Sequence, residues 1–307
     1  MRTNQALRVR NSRSSKPRRD SPAVFARPAL TRQTLARFET YLRRHARAPA
    51  TIRNYLADLR AFARWYTNTC SGARLLTPSD FRAYRAYLCD ETEHSPATIN
   101  RRLQSLRLFG RFLQETGQVA DNPARELTLV HNRNARAPAP HTLTRAESAQ
   151  LLAAVRAARP SLAARDLAII QLMLQAGLRV HQIVALRVDD AILTGRRARL
   201  RVRGNGATRL IPLDAPVVRA LRAYLPTRAA IPGVENLFLS QRGQPLSIRS
   251  IQRMVSASAR AADLSNVSAQ SLRHTCAKNM LTNICDAAKV AEWLGCKDTR
   301  TLEKYLR

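Results

Sequence analysis

The sequence predicts a mainly α protein of two domains, with one short β-hairpin in the second. Three observations carry that expectation. The chain has 307 residues, of which 45% are hydrophobic, enough apolar material for two cores. Apolar residues recur at helical spacing through residues 30–130 and again beyond residue 143. Between them lies an aperiodic stretch, 131–142 (HNRNARAPAPHT), rich in proline and without an apolar stripe, which reads as a linker.

Residues 1–28 are basic, polar and aperiodic, and are expected to form a disordered arm able to lie on phosphates. The first domain, 29–130, reads as four helices. Leu35, Phe38 and Leu42 share a face of the first, and Ile52, Tyr55, Leu56, Leu59, Phe62 and Tyr66 stripe the second. Thr77-Pro78 and Ser95-Pro96 each pair an N-cap hydroxyl with a proline at the first helical position, opening the third and fourth. Ile99, Leu103, Leu106 and Phe109 line the fourth, and Gly117 and Asn122-Pro123 end the unit. The second domain, 143–307, opens on a capping box, Thr144-x-x-Glu147. Ala198–Arg203 and Thr208–Leu213 read as two strands around Gly204-Asn205-Gly206, a tight-turn signal, and helical patterns then run to the end.

The formal net charge is +31, almost all of it from arginine, since lysine occurs only at Lys16, Lys278, Lys289, Lys297 and Lys304. Such an excess points to a polyanionic partner, because each phosphate neutralised releases bound counterions; GC-rich coding would enrich arginine as well. Arginine grips phosphate and guanine with a planar fork that lysine lacks. The cysteines at 70, 89, 276, 285 and 296 form no metal-ligand spacing, so neither zinc nor another metal is expected, and their scatter fits a reducing cytoplasm. No stretch has the apolar length of a membrane span, and residues 1–28 lack the apolar region of a secretory signal.

Cutting a phosphodiester builds negative charge on its non-bridging oxygens. Two guanidinium groups can hold those oxygens at any pH, a nucleophile must be presented in line, and a proton must reach the departing 5′-oxygen. No metal or other cofactor is needed where arginines carry the charge. The second domain contains such parts. Gly177 can stop the apolar helix Leu167–Leu174, so that Arg179 begins a new turn. Arg273 lies in Ser271-Leu272-Arg273-His274-Thr275, and Tyr305 stands nine residues past Cys296.

In order and spacing, "AGLRV", "GNG…RLIPL", "SLRHTCA" and "WLGCKDTRTLEKY" resemble the motifs of the tyrosine recombinase (phage integrase) family, Xer-like members included, and "SPATINRRLQSLRLFGRFLQETG…DNPA" resembles its core-binding domain. The likeness covers roughly residues 30–307. It implies a C-shaped clamp, with an N-terminal SAM-like four-helix core-binding domain and a mostly helical catalytic domain carrying a small β-hairpin. It also implies that Arg179 and Arg273 are the catalytic arginines and that Tyr305 forms a 3′-phosphotyrosyl link, so that rejoining needs no ATP. Arg53, Thr98, Asn100, Arg101, Arg102 and Arg107 match DNA-facing positions; they do not make one narrow stripe, so only part of the set is expected to touch DNA. The implied partner is double-stranded DNA with inverted half-sites, bound by dimers that assemble to tetramers, with a companion recombinase as a further candidate. The implied location is the bacterial cytoplasm, at the nucleoid.

The departures from the pattern fall on proton transfer. The hairpin lysine that serves as general acid is Asn205, the histidine three residues before the second arginine is Gln270, and the later His or Trp is Cys296. The acidic residue three positions after the first arginine is Gln182. Substitutes are available in Arg203 or Arg209 on the hairpin, His274, and Lys297. Losing one general acid typically costs roughly 10²–10⁴-fold. Three readings therefore stay open: a site-specific recombinase of integrase, transposase or resolvase type, a weakened homologue acting as a DNA-binding accessory protein, and a type IB topoisomerase-like nicking enzyme. The sequence ends two residues after Tyr305, where family members usually carry a further helix.

Overall fold

The computed structural model describes residues 30–69, 76–130, 140–158, 160–194, 197–204, 207–284, 286–296 and 298–305. The expected arm, 1–28, lies outside them, as do Asn205 and Lys297. The chain divides into two compact units, Met1–Arg136 and Ala137–Arg307.

The first unit holds four helices: α1 (Arg32–Arg44), α2 (Pro49–Thr69), α3 (Pro78–Asp90) and α4 (Pro96–Glu115). Their starts follow the local chemistry. Ser95 Oγ accepts from Thr98 N at 3.4 Å, and the Asp80 carboxylate takes the Thr77 N–H at 2.7 Å. The core is aromatic. Phe38, Phe62, Phe81, Tyr84, Phe109 and Phe112 are buried, and Phe38 meets Phe109 edge-on at 5.3 Å. Removing one such ring would cost about 3–5 kcal/mol.

The second unit runs α5 (Arg145–Ala157), α6 (Pro160–Gln175), α7 (Val180–Ala185), then β1 (Ala191–Ile192), β2 (Arg199–Arg203) and β3 (Thr208–Pro212), then α8 (Ala215–Tyr224), α9 (Ile248–Ala261), α10 (Ala269–Ile284) and α11 (Ala287–Leu294), and ends on a 3-10 segment, Thr299–Tyr305. The strands form one antiparallel sheet in the order β1-β2-β3. Gly204 N donates to Ala207 O at 2.8 Å, closing the hairpin. Two of the three strands are those expected. β1 was not foreseen, because its two residues carry no alternation of their own and become a strand only by pairing with β2.

Two cores divide this unit. The larger gathers α5–α9 and the sheet around Ile169, Met173, Ile183, Leu200, Ile211, Leu221 and Val255. The smaller joins α10, α11 and the 3-10 segment through Cys276, Leu281, Val290, Leu294 and Leu302, with Tyr305 packed against it. Among the described residues no helix is long and apolar enough to cross a membrane.

Candidate active site

Gly177 takes a left-handed φ of 62° after α6, as the sequence reading expects, and the chain turns so that Arg179 caps α7. The Arg179 N–H donates to Gln182 Oε1 at 3.0 Å. An amide oxygen therefore does there what a carboxylate would do: it accepts the cap hydrogen bond.

Arg273 is buried on α10. Its guanidinium donates to Gly177 O, to Leu294 O at 2.9 Å and toward Cys296 Sγ at 3.6 Å. Arg179 reaches the same place, with Leu294 O at 3.4 Å, Gly295 O at 3.3 Å and Cys296 Sγ at 4.0 Å. Arg209, from β3, adds a contact to Leu294 O at 3.5 Å. Three guanidinium groups thus converge on one carbonyl.

The carbonyl is available because α11 ends there. Gly295 is left-handed (φ 61°), and Cys296 N returns to Ala291 O at 2.8 Å, a closure that satisfies other carbonyls and leaves Leu294 O outward at the negative end of the helix. Among the described residues no carboxylate pairs with Arg179, Arg209 or Arg273. Burial, and then the charge of Arg179, lowers the pKa of both Arg273 and Arg209. This is a cation cluster held in shape by backbone carbonyls, with no carboxylate among the described residues to pair with it.

Leu302 is buried and fixes the 3-10 segment to the small core. At three residues per turn, Tyr305 falls on the same face. The Tyr305 hydroxyl is hydrogen-bonded to His274 Nδ1, with the rings 5.3 Å apart. Burial pushes the phenol up to about 12, against the opposing pull of Arg273. Arg179, Gln270, Arg273, Leu294, Cys296 and Tyr305 line one cavity of about 230 Å³. The structure thus brings together five of the expected residues, Arg179, Arg273, Tyr305, Gln270 and Cys296, with His274 at the nucleophile and Arg209 at the arginines.

Arg203 goes elsewhere. It is bound by Asp190 at 2.6 Å on the opposite face of the hairpin. His181, in the first turn of α7, was not singled out. Partial burial and then Arg179 and Arg273 lower its pKa, and its place two residues after Arg179 is the signal that could have found it. Among the described residues no group of three or more His, Cys, Asp or Glu could hold a metal ion.

The residues expected to face DNA in the first unit have mixed surroundings. Arg101 pairs with the buried Asp58, which also accepts from Ser105 Oγ at 2.7 Å. The Asn100 side chain bonds the Val130 backbone twice, at 2.9 and 2.7 Å. Arg102 lies near enough to Tyr84 for its charge to oppose the rise that burial gives the phenol pKa, and its Nε is buried without a hydrogen-bond partner among the described residues. Thr98 bonds Ser95 Oγ at 3.0 Å, and Arg53 is exposed. Arg107 donates to Leu127 O at 2.8 Å and joins Arg47, Arg111 and Arg125 around a groove of about 460 Å³. Arg111 lies one turn after Arg107 on α4, a helical spacing that could have found it, whereas Arg47 and Arg125 come from other segments and join the groove only in the fold.

Residues 141–307 match the family model "Phage integrase family", and residues 35–117 match "Phage integrase, N-terminal SAM-like domain". A protein from Pelobacter propionicus named tyrosine recombinase XerC is 31% identical over 260 residues, covering 84% of each chain. Solved structures share the fold at lower identity. A XerH site-specific recombinase bound to a palindromic difH substrate, in a post-cleavage complex, gives a TM-score of 0.70 at 20% identity over 83% of this chain and 75% of that one. A lambda integrase tetramer bound to a Holliday junction gives 0.67 at 19% identity, over 89% and 76%.

Proposed function

This chain belongs to the phage integrase family, and we propose that it is a site-specific tyrosine recombinase acting on duplex DNA. The convergence of Arg179, Arg209 and Arg273 on Leu294 O beside the Tyr305 hydroxyl carries the reading. A scissile phosphate would replace that carbonyl as the acceptor for the arginines. The Tyr305 oxygen attacks phosphorus, the P–O5′ bond breaks, and a 3′-phosphotyrosyl link forms. The phenolic proton passes to His274 Nδ1, and the departing 5′-oxygen takes a proton from water or from the Cys296 thiol beside the arginines. A phenol held up to about 12 is a poor nucleophile unless a group already in contact accepts its proton.

Both units would contact one half-site, the first through Arg53, Thr98 and the groove of Arg47, Arg107, Arg111 and Arg125. Two protomers would bind inverted half-sites and four would form the synapse, a number that matches the lambda integrase tetramer bound to a Holliday junction. The protein would work in the bacterial cytoplasm, at the nucleoid. A companion recombinase would be needed if this chain cuts only one strand pair.

The test is a duplex selected for tight binding, nicked just past the cleavage point so that the released fragment diffuses away. A covalent adduct on a denaturing gel, lost in Tyr305→Phe, supports the reading. Tight binding without an adduct removes the enzyme and leaves an accessory DNA-binding protein.

A further inference from the structure

We infer that Arg209 is a third phosphate-holding arginine of this site, supplying charge to the transition state from β3, four residues after Asn205, which stands in the sequence where the family pattern has lysine. The inference rests on the recombinase reading and adds a residue to it.

Strand geometry separates Arg209 from its neighbours. Side chains alternate along a strand, and partners across a ladder share a face. Arg209 pairs with Val202, whose side chain is buried, and lies two residues before the buried Ile211. It therefore points to the inner face of the sheet. Arg201 and Arg203 stand on the other face with Asp190, at 3.8 and 2.6 Å.

On the inner face Arg209 meets the end of α11. Its guanidinium lies so close to Gly295 that a Cβ there would sit 2.1 Å from Nη1. Gly295 thus serves both the left-handed turn and the approach of this arginine. Arg209 shares Leu294 O with Arg179 and Arg273, and its Nε is buried without a partner among the described residues. Placing a third cation beside two others, with a buried donor unspent, is costly unless an anion arrives.

The chemistry supplies that anion. A diester carries one negative charge, and the attacking phenol raises the charge on its oxygens in the transition state. A third guanidinium answers the added charge. An arginine stays protonated, so Arg209 acts on the non-bridging oxygens and not as the acid for the 5′-oxygen.

Two altered duplexes separate those roles. One carries a neutral methylphosphonate at the scissile position, and the other a 5′-bridging sulfur, which leaves without an acid. On the natural phosphate, Arg209→Gln slows adduct formation by roughly 10²-fold, and Arg209→Lys recovers part of the loss. On the methylphosphonate the deficit of Arg209→Gln shrinks to about threefold or less, while the 5′-sulfur leaves it unchanged. A deficit equal on phosphate and methylphosphonate means that Arg209 is only structural, and rescue by the 5′-sulfur means that it serves the leaving group. Either result overturns the proposal. If the wild type forms no adduct on any duplex, the recombinase reading fails. The same comparison is then read as affinity: Arg209 stands if Arg209→Gln lowers the preference for phosphate over methylphosphonate, and falls if that preference is unchanged.

Discussion

Arg203 and Arg209 stand on adjacent strands of one hairpin and meet opposite electrostatics. Arg203 faces Asp190, a fully buried carboxylate that also takes the Arg187 N–H at 2.9 Å and lies 3.8 Å from Arg201. Arg209 faces Leu294 O together with Arg179 and Arg273, and no described carboxylate answers them. In the Asp190 region the arginine charge is answered by a carboxylate of the chain itself: Oδ2 is bonded by Arg203 and the Arg187 N–H, while Oδ1 has Arg201 at ion-pair distance and no hydrogen bond, and these arginines fix β2 to the turn that precedes β1. In the Leu294 region the acceptor is a neutral carbonyl, and under the proposed reading an anion from outside would answer the three charges. Counting arginines would not distinguish the two. The nature of the acceptor does: a charged carboxylate consumes an arginine, whereas a helix carbonyl orients it and leaves its charge available.

The comparison breaks most sharply at Arg273. Arg273→Ala should slow adduct formation by about 10²–10³-fold, the usual loss for one preorganised donor. Arg203→Ala should change that rate only a few-fold while lowering the unfolding free energy by about 1–3 kcal/mol, read by denaturant titration, because Asp190 loses its best partner. Equal kinetic losses in the two variants would erase the distinction.

His274→Ala comes next. Adduct formation should slow by about 10²-fold, at the low end for a positioned proton acceptor, and the acid limb of the pH–rate profile should disappear. A profile that keeps its shape would assign the proton elsewhere.

Gly295→Ala tests the geometry between the two regions. The left-handed turn alone should cost about 1 kcal/mol in a thermal melt. The added methyl should also displace Arg209, so the rate should fall by roughly 10-fold or more while Asp190 and its partners stay as they are.

The smallest effect concerns His181. Its pKa is lowered in the folded chain, so the unfolded chain binds the proton more readily. Stability should be full above the ordinary imidazole value of about 6.5 and decline as pH falls through it, and His181→Asn should flatten that decline.

Much of this was legible where the signal is local. The hydroxyl-proline starts of α3 and α4 and the Thr144–Glu147 box specify helix ends within four residues, and each helix begins there. Arg179, Arg273 and Tyr305 could be found because ordered motifs fix them in the chain. What resisted reading depends on packing at a distance. Asn100 is claimed by Val130, thirty residues on, and Arg101 by Asp58 on another helix, so a basic face in sequence became partly an internal brace. Arg203 and Arg209 were grouped together, although the two-residue alternation back from Ile211 to Arg209 was already present in the sequence.

The central claim is that Tyr305 attacks a phosphate held by this cation cluster. Its most direct measurement is mass spectrometry of the protease-digested covalent adduct, locating the nucleotide on the chain. The account predicts a phosphate ester on the Tyr305 oxygen, with none formed in Tyr305→Phe. A nucleotide on Cys296, Thr301 or any other side chain, or an adduct that persists in Tyr305→Phe, would contradict it.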